Sequence, residues 1–106
     1  MALTTLPIDA SEPAYTIDTD LSGVVFRIRI EWNTRGEFWT IGLLEMDDTV
    51  IVDGQAIRAD WEPFRQIVDE RMPAGRIIVV DMTGAGTDPA YDDLGVRVLV
   101  MYDDGL

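Results

Sequence analysis

The chain has 106 residues, enough for a single domain with one modest hydrophobic core. Its net charge is −12 at neutral pH, its eight basic residues are all arginines, and it contains neither cysteine nor histidine. This composition excludes disulfides, thiolate chemistry and histidine-based catalytic or zinc sites, and an acidic surface argues against nucleic-acid binding. No signal-peptide pattern opens the chain and no apolar run reaches the ~20 residues of a membrane span. We therefore expect a soluble protein that the usual secretion signal does not export.

The first thirteen residues differ from the rest of the chain. They contain Pro7 and Pro13 and few core-forming side chains, which predicts an extended N-terminal arm over 1–13. The remaining residues, 14–106, are predicted to form one β-rich domain.

Most of this domain has the alternating polar and apolar pattern of short strands. Asn33 to Gly36 is predicted to be a hairpin loop in which Gly36 supplies the permissive backbone angle. The last apolar run is almost continuous, which is typical of a central strand or of one covered on both faces. The predicted strands are Tyr15–Ile17, Val24–Trp32, Glu37–Met46, Thr49–Val52, Gln55–Ala59, Arg76–Met82 and Val96–Tyr102.

Residues 61–71 have the features of a short helix. Asp60 is a suitable N-cap, Pro63 falls in the first turn, and apolar side chains recur every three to four residues. The predicted fold is therefore mainly β: a small antiparallel β sandwich or partly open barrel of six to seven strands with one short helix.

Carboxylates are the only abundant groups that could carry chemistry. Adjacent pairs such as Asp92 and Asp93 point to opposite sides of a strand or into solvent, which disfavours the two-carboxylate site of a glycosidase. Asp88 lies in the same loop, so a bound cation is conceivable, but the spacing of the three lacks a calcium-loop pattern and turn capping is favoured. We expect no enzyme activity, no metal and no cofactor; a small carboxylate-based hydrolase is the weakest alternative.

Five segments together resemble a known family over essentially the whole chain. They are Thr5–Ile8, the hairpin Trp32–Trp39 with the pattern Trp-Asn-x-Arg-x-x-x-Trp, Val50–Gly54, Ile77–Asp81, and the ending Asp88–Tyr102. That ending has the most specific pattern, Asp-Pro-x-Tyr-Asp-Asp-Leu-Gly-x-Arg-Val, followed by a less leucine-rich run than in the family. The chain resembles the baseplate plug family of contractile-tailed bacteriophages of the cyanophage type; residues 55–75 match it least.

The resemblance implies a structural virion protein at the centre of the tail baseplate, made in the host cytoplasm. Such a protein would close the tail tube near the hub and spike and contact the hub, spike and tape-measure proteins. Self-association around the tail axis is also implied, whereas direct nucleic-acid or membrane binding is not. The alternative is a free-standing acidic adaptor that binds proteins or mimics the charge of nucleic acid, whose binding would weaken steeply with salt.

The candidate assembly residues come from the two most recognisable motifs. Arg35 is predicted to tie the hairpin to a carboxylate. Tyr91 with its neighbouring aspartates is predicted to brace the loop against a partner or, as we favour, against its own turn. The full set is Trp32, Asn33, Arg35, Trp39, Tyr91, Asp92, Asp93 and Arg97.

Overall fold

The computed structural model describes residues 3–65, 70–73, 75–84, 86 and 88–103, with the backbone alone at position 3. Within these residues the fold is mainly β, and the one helical element is a 3₁₀ turn at Tyr91–Asp93. The seven strands are β1 (Leu3–Thr5), β2 (Ala14–Leu21), β3 (Val24–Asn33), β4 (Phe38–Leu44), β5 (Val50–Ala56), β6 (Arg76–Asp81) and β7 (Val98–Asp103).

The strands form two antiparallel sheets. Sheet A has three strands in the order β1-β7-β6, and sheet B is a four-stranded meander in the order β2-β3-β4-β5. The sheets share one core and do not close into a barrel, which confirms the prediction of a mainly β fold, an antiparallel sandwich or partly open barrel. The last strand, β7, lies between two others, as its apolar run predicted.

The core is built from the inward-facing residues of both sheets. Side chains at alternate positions of β3 and β4 are buried, and they meet those of β6 and β7 from the other sheet. Fully burying such a side chain contributes roughly 1.5–3 kcal/mol to stability. Core members with no more than 1% exposure include Ile28, Ile30, Trp39, Ile41, Leu43, Val79, Val98 and Val100.

The outer face of sheet B is held by arginine–carboxylate pairs between neighbouring strands. Arg27 on β3 pairs with Asp18 on β2 at 2.9 Å, and Arg29 pairs with Asp53 on β5 at 2.7 Å. Asp53 reaches across the intervening strand because Gly42 has no side chain; a Cβ there would lie 2.3 Å from the Asp53 Oδ1. The hydrogen bond from Arg27 lowers the pKa of Asp18 below its ordinary value. This face therefore stays charged and solvated.

The N-terminal arm lies on sheet A of its own chain. β1 pairs with β7, with Thr4 opposite Tyr102, and the Leu6 N–H donates to the Val100 carbonyl at 2.9 Å. Leu6 and Ile8 are buried in the core at 4% and 3% exposure. The arm is thus held by the last strand, while the domain boundary at residue 13 stays a prediction.

The predicted helix over 61–71 is wrong at its described residues, and positions 66–69 lie outside them. Trp61 forms an isolated bridge to β6, its carbonyl accepting the Val79 N–H at 2.9 Å, and residues 63–65 form a turn. Asp60 has a φ of 55°, and its carboxylate accepts the Asp81 N–H at 3.2 Å, so it does not cap a helix. A contact with the edge of β6 outweighs the local helical pattern. The described residues contain no helix with the length and apolar character needed to cross a bilayer.

Three local predictions also differ from the structure. The left-handed residue of the 33–37 turn is Glu37, with a φ of 57°, and not Gly36. The two short strands predicted over 49–59 are one strand, β5, which accommodates Gly54 at a φ of 70° beside an irregular register with β4. β7 begins at Val98, since the preceding two residues belong to a turn.

Candidate assembly site

An aromatic cluster joins the β3–β4 hairpin to the turn before β7. Trp32 and Trp39 face each other across the hairpin with ring centroids 5.5 Å apart, and Tyr91 lies 5.4 Å and 5.1 Å from them. Trp39 is fully buried and its Nε1–H donates to the Tyr91 carbonyl at 3.2 Å. Each such ring pair contributes about 0.5–1.5 kcal/mol beyond the area that it buries. The cluster therefore fastens the two recognisable motifs to each other.

The hairpin turn is shaped by Asn33. Its side-chain Oδ1 accepts the Gly36 N–H at 2.9 Å, and its carbonyl accepts the Glu37 N–H at 2.7 Å. Arg35 is exposed at the tip, and no carboxylate among the described residues lies within ion-pairing distance of it. The predicted tie between Arg35 and a carboxylate is thus not made within the described chain.

Arg97 fastens the turn before β7 to the end of β6. Its Nη1 donates to the Asp81 Oδ2 at 2.6 Å and its Nη2 to the Asp93 Oδ2 at 3.0 Å. The Asp81 side chain has no exposed surface, whereas that of Arg97 is 20% exposed. The hydrogen bond from Arg97 lowers the pKa of Asp93, and that same bond raises the pKa of Arg97. Both groups therefore remain charged at neutral pH.

Further carboxylates tie backbone segments to this network. The Asp81 Oδ1 accepts from both the N–H and the hydroxyl of Thr83, at 2.9 Å and 2.6 Å. The Asp88 Oδ1 accepts the Ala59 N–H at 2.9 Å, and the Asp93 Oδ2 accepts the Ala90 N–H at 2.9 Å. These carboxylates hold backbone N–H groups of neighbouring turns. The bracing role of Tyr91 with Asp92 and Asp93 stays a prediction.

The loop carboxylates considered as a cation site do not converge. Asp92 is exposed, whereas Asp88 and Asp93 are engaged in the hydrogen bonds and ion pairs above. In the described part of the chain, no three acidic side chains are placed to hold a metal ion. The arrangement can hold segments of the chain together through these hydrogen bonds.

The eight predicted residues thus fall into two kinds. Five of them make the internal contacts of the cluster and the arginine network: Trp32, Trp39, Tyr91, Asp93 and Arg97. The other three, Asn33, Arg35 and Asp92, are exposed, and the Asn33 side chain also accepts the Gly36 N–H within its turn. Trp32 and Asn33 also line a shallow polar groove of about 510 Å³.

The residue missed by the sequence reasoning is Asp81. It ends the β-branched strand at a position whose alternation, shared with Ile77 and Val79, turns it inward. A carboxylate on the buried side of a strand needs a cationic or hydrogen-bonding partner. The position of Asp81 on the buried side of the strand alternation is the sequence signal that could have predicted an arginine partner for it.

No curated protein matches the sequence. A family model described as cyanophage baseplate Pam3 plug gp18 matches residues 3–105, which is nearly the whole chain. The match includes the hairpin, the aromatic cluster and the arginine network. The chain belongs to the cyanophage baseplate plug family.

Proposed function

We propose that this protein closes the lower end of a contractile phage tail tube, beside the hub and spike, and contacts the hub and tape-measure proteins. The observation that carries the proposal is the family match over residues 3–105. The family is one of baseplate structural components, so a role in the virion tail and association with other baseplate proteins follow from membership.

The charge of the chain supports a position in the path of the genome. At −12 the protein repels DNA, and a tube closure that does not adhere to DNA suits a channel through which the genome must slide. The arginines on sheet B are neutralised by carboxylates on neighbouring strands, so that face offers no run of free cations to phosphates. We therefore assign the protein no direct nucleic-acid contact.

The site supports a mechanical role and not turnover. Its buried carboxylate accepts from Arg97 and Thr83, and its aromatic rings pack on one another. Groups held in this way resist separation of the hairpin from the β7 turn. Membership of a baseplate family favours this role over a free-standing acidic adaptor.

Exposed members of the candidate site are the proposed contacts with neighbours. Asn33 and Arg35 lie at the tip of the hairpin, and Asp92 lies on the turn before β7. Several copies around the tail axis would present these tips in a ring with cyclic symmetry.

Deletion of the gene from the phage, with complementation in trans, tests the proposed function. Tails should be purified from the parent, the deletion and the complemented strain and compared by electron cryomicroscopy. We expect density at the lower end of the tube to disappear in the deletion and to return on complementation. Unchanged density at that position, or absence of the polypeptide from parental tails by mass spectrometry, would overturn the proposal.

A further inference from the structure

The end of sheet B nearest the β2–β3 and β4–β5 turns carries large apolar side chains on its surface. Their exposed fractions are 56% for Val24, 45% for Val25, 44% for Met46 and 45% for Val50. We call Val24, Val25 and Met46, which line one pocket, the valine–methionine patch; Val50 lies opposite Leu44 on the neighbouring strand. Exposed apolar groups gathered in one place on an otherwise acidic protein mark an interaction surface. A pocket of about 370 Å³ lies here, lined by Val24, Val25, Phe26, Glu45, Met46 and Arg71.

The backbone at the patch has an unpaired strand edge. β3 pairs with β2 as far as Val24, but its last partner on β4 is Leu44, which lies opposite Arg27. Beyond that point β4 turns away, and the Glu45 N–H donates to the Thr49 carbonyl at 2.9 Å.

The hydrogen-bonding direction of Val25 follows from the alternation along β3. Trp32 donates to the Pro13 carbonyl on the β2 side, so the even-numbered residues of β3 face β2 and the odd-numbered ones face β4. Val25 therefore turns its N–H and C=O towards the side that β4 has left. In the described part of the chain no hydrogen bond reaches Val25 from that side. One further strand could pair there as a continuation of β4.

The charges around the patch indicate which kind of partner segment could bind there. Asp20 lies opposite Val25 on β2, Glu45 and Arg71 line the pocket, and Asp47 stands exposed in the adjoining turn, so three acidic groups accompany one basic group. Each copy of this chain carries −12, so a second copy would bring like charges to the patch. A segment with basic residues beside apolar ones would meet complementary charge.

We infer that the valine–methionine patch receives an extended segment of another baseplate protein, with alternating apolar and basic residues, that adds as a strand along Val25. The inference rests on the proposed function, because it names the surface by which the plug holds a neighbour. Main-chain hydrogen bonds to Val25 would set the register of the added strand. Its apolar side chains would cover Val24 and Met46.

Complementation of the deletion phage with substituted proteins tests the inference in the tail. Val25→Asp and Met46→Asp each place a charge in the patch. Met82→Asp makes the same change at a methionine that is 59% exposed just beyond the end of β6. We expect Met82→Asp to enter purified tails like the parent protein and both patch variants to fall on the order of tenfold, the effect of ~1.4 kcal/mol.

The outcomes separate the two proposals. If the parent enters tails and both patch variants do so equally, the inference is overturned and the plug function stands. If the parent itself is missing from tails, the proposed function fails. Met46 lies outside the strands, so Met46→Asp decides the matter if Val25→Asp does not fold.

A second measurement identifies the partner chemistry on the isolated protein. Hydrogen exchange of the Val25 amide is followed with a blocked nine-residue peptide of alternating valine and lysine, and with the same peptide carrying glutamate in place of lysine. We expect slower exchange with the lysine peptide only. Equal effects of both peptides, no effect of either, or protection of Val25 by self-association in sedimentation experiments would overturn the inference.

Discussion

Substitution of Gly95 by alanine tests whether the N-terminal arm is locked onto the turn before β7. Gly95 has a φ of 82°, and a Cβ there would lie 2.6 Å from the Asp9 Cβ and 2.8 Å from the Ile8 carbonyl oxygen. Two of the crowding atoms are backbone, the Ile8 carbonyl oxygen and the Asp9 Cα, so the arm itself would have to move. That movement would displace Ile8, whose exposure is only 3%, and would disturb the neighbouring pairing of β1 with β7.

Two costs add in this variant. A left-handed backbone costs an alanine about 1–2 kcal/mol, and overpacking against a fixed backbone costs a further ~1–3 kcal/mol. Gly23→Ala is the matched control, because Gly23 has a φ of 88° and nothing lies within 4 Å of its added Cβ. We expect Gly95→Ala to lower the free energy of unfolding by about 2–5 kcal/mol and Gly23→Ala by about 1–2 kcal/mol.

Urea unfolding, followed by tryptophan fluorescence and circular dichroism, measures both variants. The difference between the two losses of unfolding free energy isolates the clash with the arm. Equal losses in Gly95→Ala and Gly23→Ala would refute the reasoning, since they would mean that residues 8 and 9 do not pack against the turn. The two probes must give coincident transitions for the comparison to be made.

Trp39→Phe should destabilise the fold by about 1–3 kcal/mol, because it removes an indole donor and leaves a buried carbonyl unpaired, whereas Trp61→Phe, at a side chain 46% exposed, should change stability by no more than ~0.5 kcal/mol. Equal urea midpoints would contradict the assignment of the buried indole. Asp81→Ala should cost about 2–4 kcal/mol by removing the carboxylate that accepts from the Arg97 Nη1 and the Thr83 hydroxyl, and Asp92→Ala, at an exposed residue in the turn before β7, should be close to neutral. The hydrogen bond from the Arg97 guanidinium lowers the pKa of Asp93 in the folded protein. The ionised Asp93 therefore stabilises the fold fully above the ordinary aspartate pKa of ~3.9, and this contribution is lost as pH falls through the lowered pKa. The urea midpoint should therefore fall on acidification below about pH 4, less steeply in Asp93→Asn, and parallel pH profiles of the two proteins would contradict the assignment.

Strand patterns in the sequence were enough to predict the β3–β4 hairpin of sheet B and the position of the last strand. β3 alternates between apolar and polar residues from Phe26 onwards, β4 is mostly apolar, and the turn between them contains Asn33, so the hairpin and the pairing of Trp32 with Trp39 follow locally.

Contacts between distant segments were beyond the reach of the sequence. Trp61 lies in a segment whose sequence pattern is helical, yet its carbonyl accepts the Val79 N–H of β6. No local sequence pattern indicates this interaction. The contact of Tyr91 with the two tryptophans and the pairing of Arg97 with Asp81 likewise depend on how the sheets are stacked. The sequence identified members of the candidate site, but it did not indicate which of them make contacts within the chain and which are exposed.

The central place of β7 in sheet A sets an order for folding. Every hairpin of sheet B joins neighbours in the chain, so all the strands that this sheet needs have been synthesised once residue 56 has been added. Both β1 and β6 pair with β7 in sheet A, so neither can form its pairing before β7 is present. The pairing of Thr4 with Tyr102 closes a loop of nearly the whole chain. Until β7 is available, β1 is a strand without its partner. Another chain that pairs with β1 during this time would compete with β7 for it.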